Sequence, residues 1–224
     1  VTAVTALLTA LTWLLLSRSF LRLATSGSSA AKTRYREKKV RVRSLSSALL
    51  GKECRRFVSS PNYMLNCGMG VLMIPAAGVL LLVKGGEWLG LLKAVLPGAD
   101  SVLAALAISV ACLLASMNDM AAPSVSLEGK SLWVLQSLPV SAWKVLKAKL
   151  KMQLVFTGIP MLVFLACALP VLGLSSALSL LTAAGSLLSV LLLALFGLTM
   201  GLKMPNLTWT SEIVPIKQSA SVMI

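Results

Sequence analysis

The sequence predicts an all-α fold: a polytopic α-helical membrane bundle of about five transmembrane helices, with cytoplasmic amphipathic helices attached. Three observations predict it. Of 224 residues, 57% are hydrophobic and only 12% charged, where a soluble domain carries about a quarter charged residues. Mean hydropathy is +0.88, and the apolar residues gather into runs approaching the ~20 residues that cross a bilayer. The formal net charge of +14 sits between those runs rather than within them. So much apolar surface cannot be enclosed in one water-soluble core; it needs lipid as its solvent.

The first apolar run is Val1–Leu16. A signal peptide would carry its positive charge ahead of the apolar stretch, whereas here Arg18 follows it, so a membrane span is expected. Residues 17–62 form a basic cytoplasmic segment with linker composition in its middle. At its end Leu50, Cys54, Phe57 and Val58 share one helical face, with Lys52, Arg55 and Arg56 opposite. An interfacial helix is expected there, its basic face towards anionic lipid. The second span is expected over 62–83, with Pro75 tolerated inside it. Residues 84–100 read as an outer loop with Trp88 at interface depth. The third span covers 101–117. After the polar segment 118–151, the fourth span runs over 154–172, and the brief turn at Leu174–Ser176 returns the chain antiparallel into a fifth over 177–202. In that last span Gly185 and Ser189, then Gly197 and Gly201, give the small-xxx-small spacing that lets helices approach closely. A polar tail over 203–217 precedes what reads as the start of a further span. Both ends look ragged, as expected of a fragment of a longer protein whose residues 1–224 form a single transmembrane domain.

Alternation assigns the sides. Twelve of the 21 Lys and Arg residues lie in 17–62, five in 118–151 and two in 203–217; only Lys84 and Lys93 lie in the opposite loop. The positive-inside tendency makes the richer side cytoplasmic, in a multi-pass protein of the plasma membrane. Basic residues placed beside spans argue against a nucleic-acid partner. Their membrane partners are anionic lipids.

The chemistry the residues offer is sparse. There is no histidine, which removes the commonest general base and metal ligand. Cys54, Cys67, Cys112 and Cys167 have no CxxC spacing and read as small hydrophobes in a reducing compartment. The expected spans hold no charged residue between their ends, unlike ion-coupled transporters. No catalytic residue, metal site or cofactor is expected. Gly129-Lys130-Ser131 mimics the end of a phosphate-binding loop, but position 124 is Ser124 instead of glycine and no buried strand precedes it. Asn206-Leu207-Thr208 is a glycosylation sequon on the wrong side of the membrane.

Residues 118–151 are the most informative stretch. Pro123 marks a helix boundary, Ser124 or Ser126 is expected to cap a new helix with Glu128 in its first turn, and Leu127, Leu132, Trp133 and Leu135 supply apolar surface. Leu138-Pro139 breaks that helix. Ser141 then caps a second, with Trp143, Leu146, Leu150 and Leu154 along one stripe and Lys144, Lys147 and Lys151 along another. The second helix is expected to run directly into the fourth span.

Ser126 to Ser141, SLEGKSLWVLQSLPVS, resembles a signature of bacterial type-2 ATP-binding-cassette transporter permeases, approximately S-x-E-G-K-x-L-W-x-L-K-S-L-P-[VI]-S. Gly51 to Pro61 (GKECRRFVSSP) is similar to that group's K-E-W/x-R-x-F-x-S-S-P element. Trp209 to Ser219 (WTSEIVPIKQS) is similar to its W-x-N-E-x-x-x-V-K-Q-S element. The three occur in the family's order and cover about a quarter of the chain. Cys54, Gln136 and Ser211 depart from the pattern. The resemblance implies the permease subunit of an ATP-driven exporter, itself no enzyme, paired as a homo- or heterodimer. A separate ABC ATPase (nucleotide-binding) subunit would drive it from the cytoplasm. By the same resemblance, Glu128, Gly129, Lys130, Trp133, Leu135, Ser137, Leu138 and Pro139 become candidate ATPase-docking residues. Lys52, Glu53, Arg55, Arg56, Phe57 and Pro61 belong to the interfacial helix, a second candidate contact. A membrane-embedded enzyme acting on lipids and a non-transporting scaffold or sensor are the alternatives open to the sequence.

Overall fold

The computed structural model describes residues 44–95, Gly98 and 100–223, with Ala10, Thr12–Leu14 and Ser17 before them; for Lys130, Ala220 and Met223 it describes the backbone alone. The chain divides into two units, Val1–Val42 and Arg43–Ile224. In the first unit the described residues are helical, with Trp13 exposed. The rest of the expected first span, and the basic residues from Arg18 to Arg43, lie outside the described residues.

In the second unit every described element is helical. Short helices α1 (Leu45–Ser59) and α2 (Pro61–Cys67) lead into α3 (Gly70–Val95), and α4 (Asp100–Ser116) returns. Then come α5 (Ala121–Ser126), a 3-10 turn (Gly129–Ser131), α6 (Leu132–Ser137), α7 (Ala142–Leu172) and α8 (Ser176–Lys203). A π-helical turn (Val214–Gln218) and α9 (Ala220–Met223) follow. Among the described residues, four segments are long and apolar enough to cross a membrane: Gly70–Val95, Asp100–Ser126, Ala142–Leu172 and Ser176–Lys203. These are the expected second to fifth spans, and the fold is the all-α polytopic membrane bundle.

The spans are apolar inside and out. Ile74, Ala111, Met161, Phe164, Ala168 and Val190 form a buried core between α3, α4, α7 and α8, while Leu72, Val83, Leu113 and Leu180 point outward, each about 70% exposed. A helix hydrophobic all round is a membrane helix when its outer face has no protein to cover it. Helices pack through small residues. A Cβ on Gly78 of α3 would sit 3.0 Å from Phe164 Cα of α7, and one on Gly185 of α8 would sit 3.0 Å from Ile108 Cδ1 of α4. The spacing noted at Gly197 and Gly201 does the same, bringing α8 against Asp119 and Ala122.

Two boundaries differ from expectation. The second span begins at Gly70 instead of residue 62, because the chain breaks at Gly68, beside which the Phe57 ring is seated. The expected outer loop over 84–100 is mostly helix, since α3 continues to Val95. Lys84 pairs with Glu87 one turn on (3.6 Å), and Lys93 Nζ donates to Leu172 O (3.2 Å) at the C-terminal end of α7. A cation at that end satisfies a carbonyl left open by the helix and complements its dipole. Across the turn, Gly173 takes the left-handed conformation (φ 60°) and Ser175 Oγ accepts from Leu178 N, so α7 and α8 are antiparallel as the short connection requires.

Candidate functional site

At the end of the bundle where α3, α7 and the polar segments meet, three stretches far apart in sequence bring charges together. Leu49, Glu53 and Phe57, spaced four apart, form the buried stripe of α1. The first turns of α7 bury Ala148, Lys149, Met152 and Gln153. Between them lies the turn after α5, with Glu128 only 2% exposed.

Lys149 Nζ donates to Glu128 Oε1 (2.9 Å), Ser124 O (2.9 Å) and Glu53 Oε2 (3.1 Å). All three ammonium donors are therefore used. Lys52 Nζ lies 3.0 Å from both Glu128 oxygens, and Arg56 Nη2 donates to Glu128 Oε2 (3.2 Å) with Nη1 3.1 Å from Oε1. Two carboxylates thus face three cations. Burial alone would push the Glu128 carboxyl up, but the charges of Lys149 and Arg56, with the hydrogen bonds they donate, hold it down at about 2. It is therefore ionised at neutral pH. A buried charge cluster of this kind is costly to assemble and costlier to break, because each remaining charge loses its compensation.

The surroundings pin the same turn. Gly129 has φ +46° and lies under Trp209, whose indole Nε1 would be 2.9 Å from a Cβ there. That indole donates to Ser126 O (2.6 Å), Asn206 N donates to Ser126 Oγ (3.0 Å), and Ser60 Oγ donates to Glu212 Oε2 (2.7 Å). The tail after α8 therefore folds back as a strap over the turn. Deeper in, Gln153 bridges the break between α4 and α5. Its Oε1 accepts from Met120 N (2.8 Å) and Ala121 N (3.1 Å), and its Nε2 donates to Asn118 O and to Thr157 Oγ1 (3.2 Å). Tyr63 OH donates to Met120 O (2.7 Å). Buried backbone groups freed by a helix break need other partners, and here the side chains of Gln153 and Tyr63 supply them.

These contacts sort the expected site residues. Glu128, Gly129 and Leu135 are turned inward, Leu135 against Leu49 and Ala148. Trp133 (66% exposed), Leu138 (47%), Ser137 and Pro139 face outward, and the Lys130 side chain lies outside the described residues. Ser124 and Ser126 end α5 instead of capping a new helix; Ser124 Oγ donates to Ala121 O and Ser126 Oγ is taken by the strap. The break at Leu138-Pro139 and the restart after Ser141 are where expected.

The interfacial helix is corrected. Phe57 does not face lipid: its ring meets Tyr63 (centroids 5.2 Å) and Phe156 (5.1 Å) edge-on, and Glu53 beside it is buried. Of the expected apolar face only Val58 stays strongly exposed. Lys52 and Arg56 are half-buried on Glu128, while Arg55 and Pro61 are exposed. On α7, Lys144, Lys147 and Lys151 are exposed as expected, but the inward stripe is Ala148, Lys149 and Met152 rather than Trp143, Leu146 and Leu150. Glu53 had a readable signal, lying four residues from both Leu49 and Phe57, whereas the four-residue neighbours of Lys149 and Gln153 include no buried apolar side chain.

Residues 2–222 match a protein family described as "Membrane protein of 12 TMs". The chain belongs to this family. The description makes it a multi-pass membrane protein and names neither a cargo nor an energy source. No curated protein and no solved structure matches the chain. Against the family's 12 spans, the described residues hold four helices of spanning length, and the charge cluster gathers the polar segments at one end of those four.

Proposed function

We propose that this chain is a transmembrane permease subunit of an ATP-driven exporter of the bacterial plasma membrane, worked by a separate ABC ATPase on its cytoplasmic side. The observation that carries the reading is the continuity of α7. This helix of 31 residues is about 46 Å long at 1.5 Å per residue, well over the ~30 Å of a hydrocarbon core. Its first turns therefore stand outside the membrane, and they carry Lys149. A force on the Trp133–Pro139 surface reaches Glu128 through α6 and the 3-10 turn, and passes through Lys149 into a helix that spans the bilayer. The exposed Trp133, Val134, Leu138 and Trp143 supply the apolar anchors that a protein partner buries. The resemblance of the Glu128–Pro139 and Lys52–Pro61 stretches to type-2 permeases supports the same direction of drive, and the Lys and Arg distribution supports a cytoplasmic placement.

A photo-crosslinking amino acid at position 133 or 138 in the full-length protein, in its native cells, tests the reading. The expected adduct is a nucleotide-binding ATPase subunit, and W133A with L138A abolishes its co-purification while thermal stability is kept. Adducts only to lipid, or unchanged co-purification of the ATPase, would overturn the docking assignment. Glu128→Ala is unsuited to the purpose, since it breaks the internal cluster as well as any contact.

A further inference from the structure

Beside the buried cluster, and on its solvent side, lies a pocket of about 620 Å³. Lys52, Arg55, Arg56, Ser59, Asn62 and Glu212 are among the residues that line it. We propose that this pocket binds a phosphate group, and that its occupant is the headgroup of an anionic phospholipid.

Cation supply is the first argument. Lys52 and Arg56 spend part of their charge on Glu128, but Lys52 keeps 36% of its side chain exposed and Arg56 keeps 25%. Arg55 is exposed and forms no ion pair among the described residues. Three cationic groups on two successive turns thus line one concavity, and Arg55 brings an uncommitted guanidinium whose fork geometry suits phosphate oxygens. Glu212 also lines the pocket and accepts from Ser60 Oγ through one oxygen, so its charge opposes an anion; three cations on the lining outnumber it.

Position is the second argument. The pocket straddles the joint between α1 and α2, just before α3 enters the bilayer. Val58 (64% exposed), Met64 (42%), Leu65 (61%) and Met69 (42%) surround that joint. Basic groups bordered by exposed apolar residues at a membrane boundary fit a headgroup with its acyl chains alongside. A soluble phosphate would have no use for that apolar border. No residue of the Trp133–Pro139 surface lines the pocket; it does share the Lys52–Pro61 stretch, the second candidate ATPase contact, so lipid retention is read on the protein without an ATPase.

Native mass spectrometry of the full-length protein, titrated with phosphatidylglycerol or phosphatidylcholine, tests it, with R55Q, S59L and K151Q as variants. Arg55 and Ser59 are exposed and outside the buried cluster, and Lys151 is an exposed control at the same end of the bundle. Retention of phosphatidylglycerol over phosphatidylcholine is expected, weakened about fivefold by R55Q and likewise by S59L, which fills the pocket, but not by K151Q. If inorganic phosphate displaces the lipid and is itself retained with the same dependence on Arg55 and Ser59, the phosphate site stands and its occupant is the soluble ion. Equal retention of the two lipids, or the same loss in K151Q as in R55Q, would overturn the proposal.

Discussion

Replacing Lys149 by methionine probes the element on which the architecture turns. Methionine keeps most of the stem's volume and removes only the charge and its three hydrogen bonds. Glu128 retains Lys52 and Arg56 at 3.0–3.2 Å, but Glu53 is left with Lys52 at 3.9 Å alone. The penalty therefore falls on Glu53, which is 4% exposed. Breaking a buried pair from one side costs about 3–5 kcal/mol, and the compensation remaining at Glu128 places this substitution near the lower end, at about 3 kcal/mol. For a chain of this size that is a fall in Tm of roughly 6–12 °C. A thiol-reactive fluorophore reads the transition in a background that keeps Cys67 alone, because Cys67 is a free, buried thiol that unfolding exposes whereas Cys54, Cys112 and Cys167 are only half-buried. The companion K149M/E53L removes the stranded carboxylate and should recover most of the loss, since a buried ion pair replaced on both sides by apolar groups is close to neutral. A K149M protein melting within about 3 °C of the parent, equivalent to ~1 kcal/mol, would refute the reasoning, as would a double variant less stable than K149M.

Three further outcomes follow from the same geometry. Glu128 has its folded-state pKa held down at about 2 against an ordinary 4.5, so its contribution is fully present above pH ~4.5 and drains away as pH falls towards ~2. Circular-dichroism melts over that window should fall more steeply for the parent than for E128Q, and parallel curves would contradict the assignment. G129A forces an L side chain to φ +46° beneath Trp209 and is expected to cost at least the ~1–2 kcal/mol of a left-handed non-glycine residue; a W209A background should relieve the steric part but not the backbone part. In a cysteine-free background, an impermeant thiol reagent applied to intact cells should label E87C and spare K203C, the reverse pattern inverting the cytoplasmic assignment.

Much of the fold was legible in the chain. Apolar runs bounded by charge placed the third, fourth and fifth spans to within a few residues, where Ser141, Leu174–Ser176 and Asn118 supply starts, turns and breaks. The span that began late did so because Gly68 lies beside a Phe57 ring eleven residues earlier, a contact no local pattern encodes. α3 ran on past Lys84 because Lys93 has a carbonyl to reach at the far end of α7. The site was less legible. Trp133 and Leu138 stand exposed where an apolar residue in a polar segment suggests a contact surface, yet Glu128, expected on that surface, points the other way.

Composition and periodicity settle the class, because a bilayer imposes the same demand on every spanning helix: enough apolar residues in a row and a fully paired backbone. Those demands are local, and a sequence states them openly. Which charges meet is a different matter. Glu53, Glu128 and Lys149 belong to three separate segments, and nothing local to any of them says that they meet. Only the packing of α1 against α7, with the turn after α5 between them, removes the water and makes each charge depend on the other two.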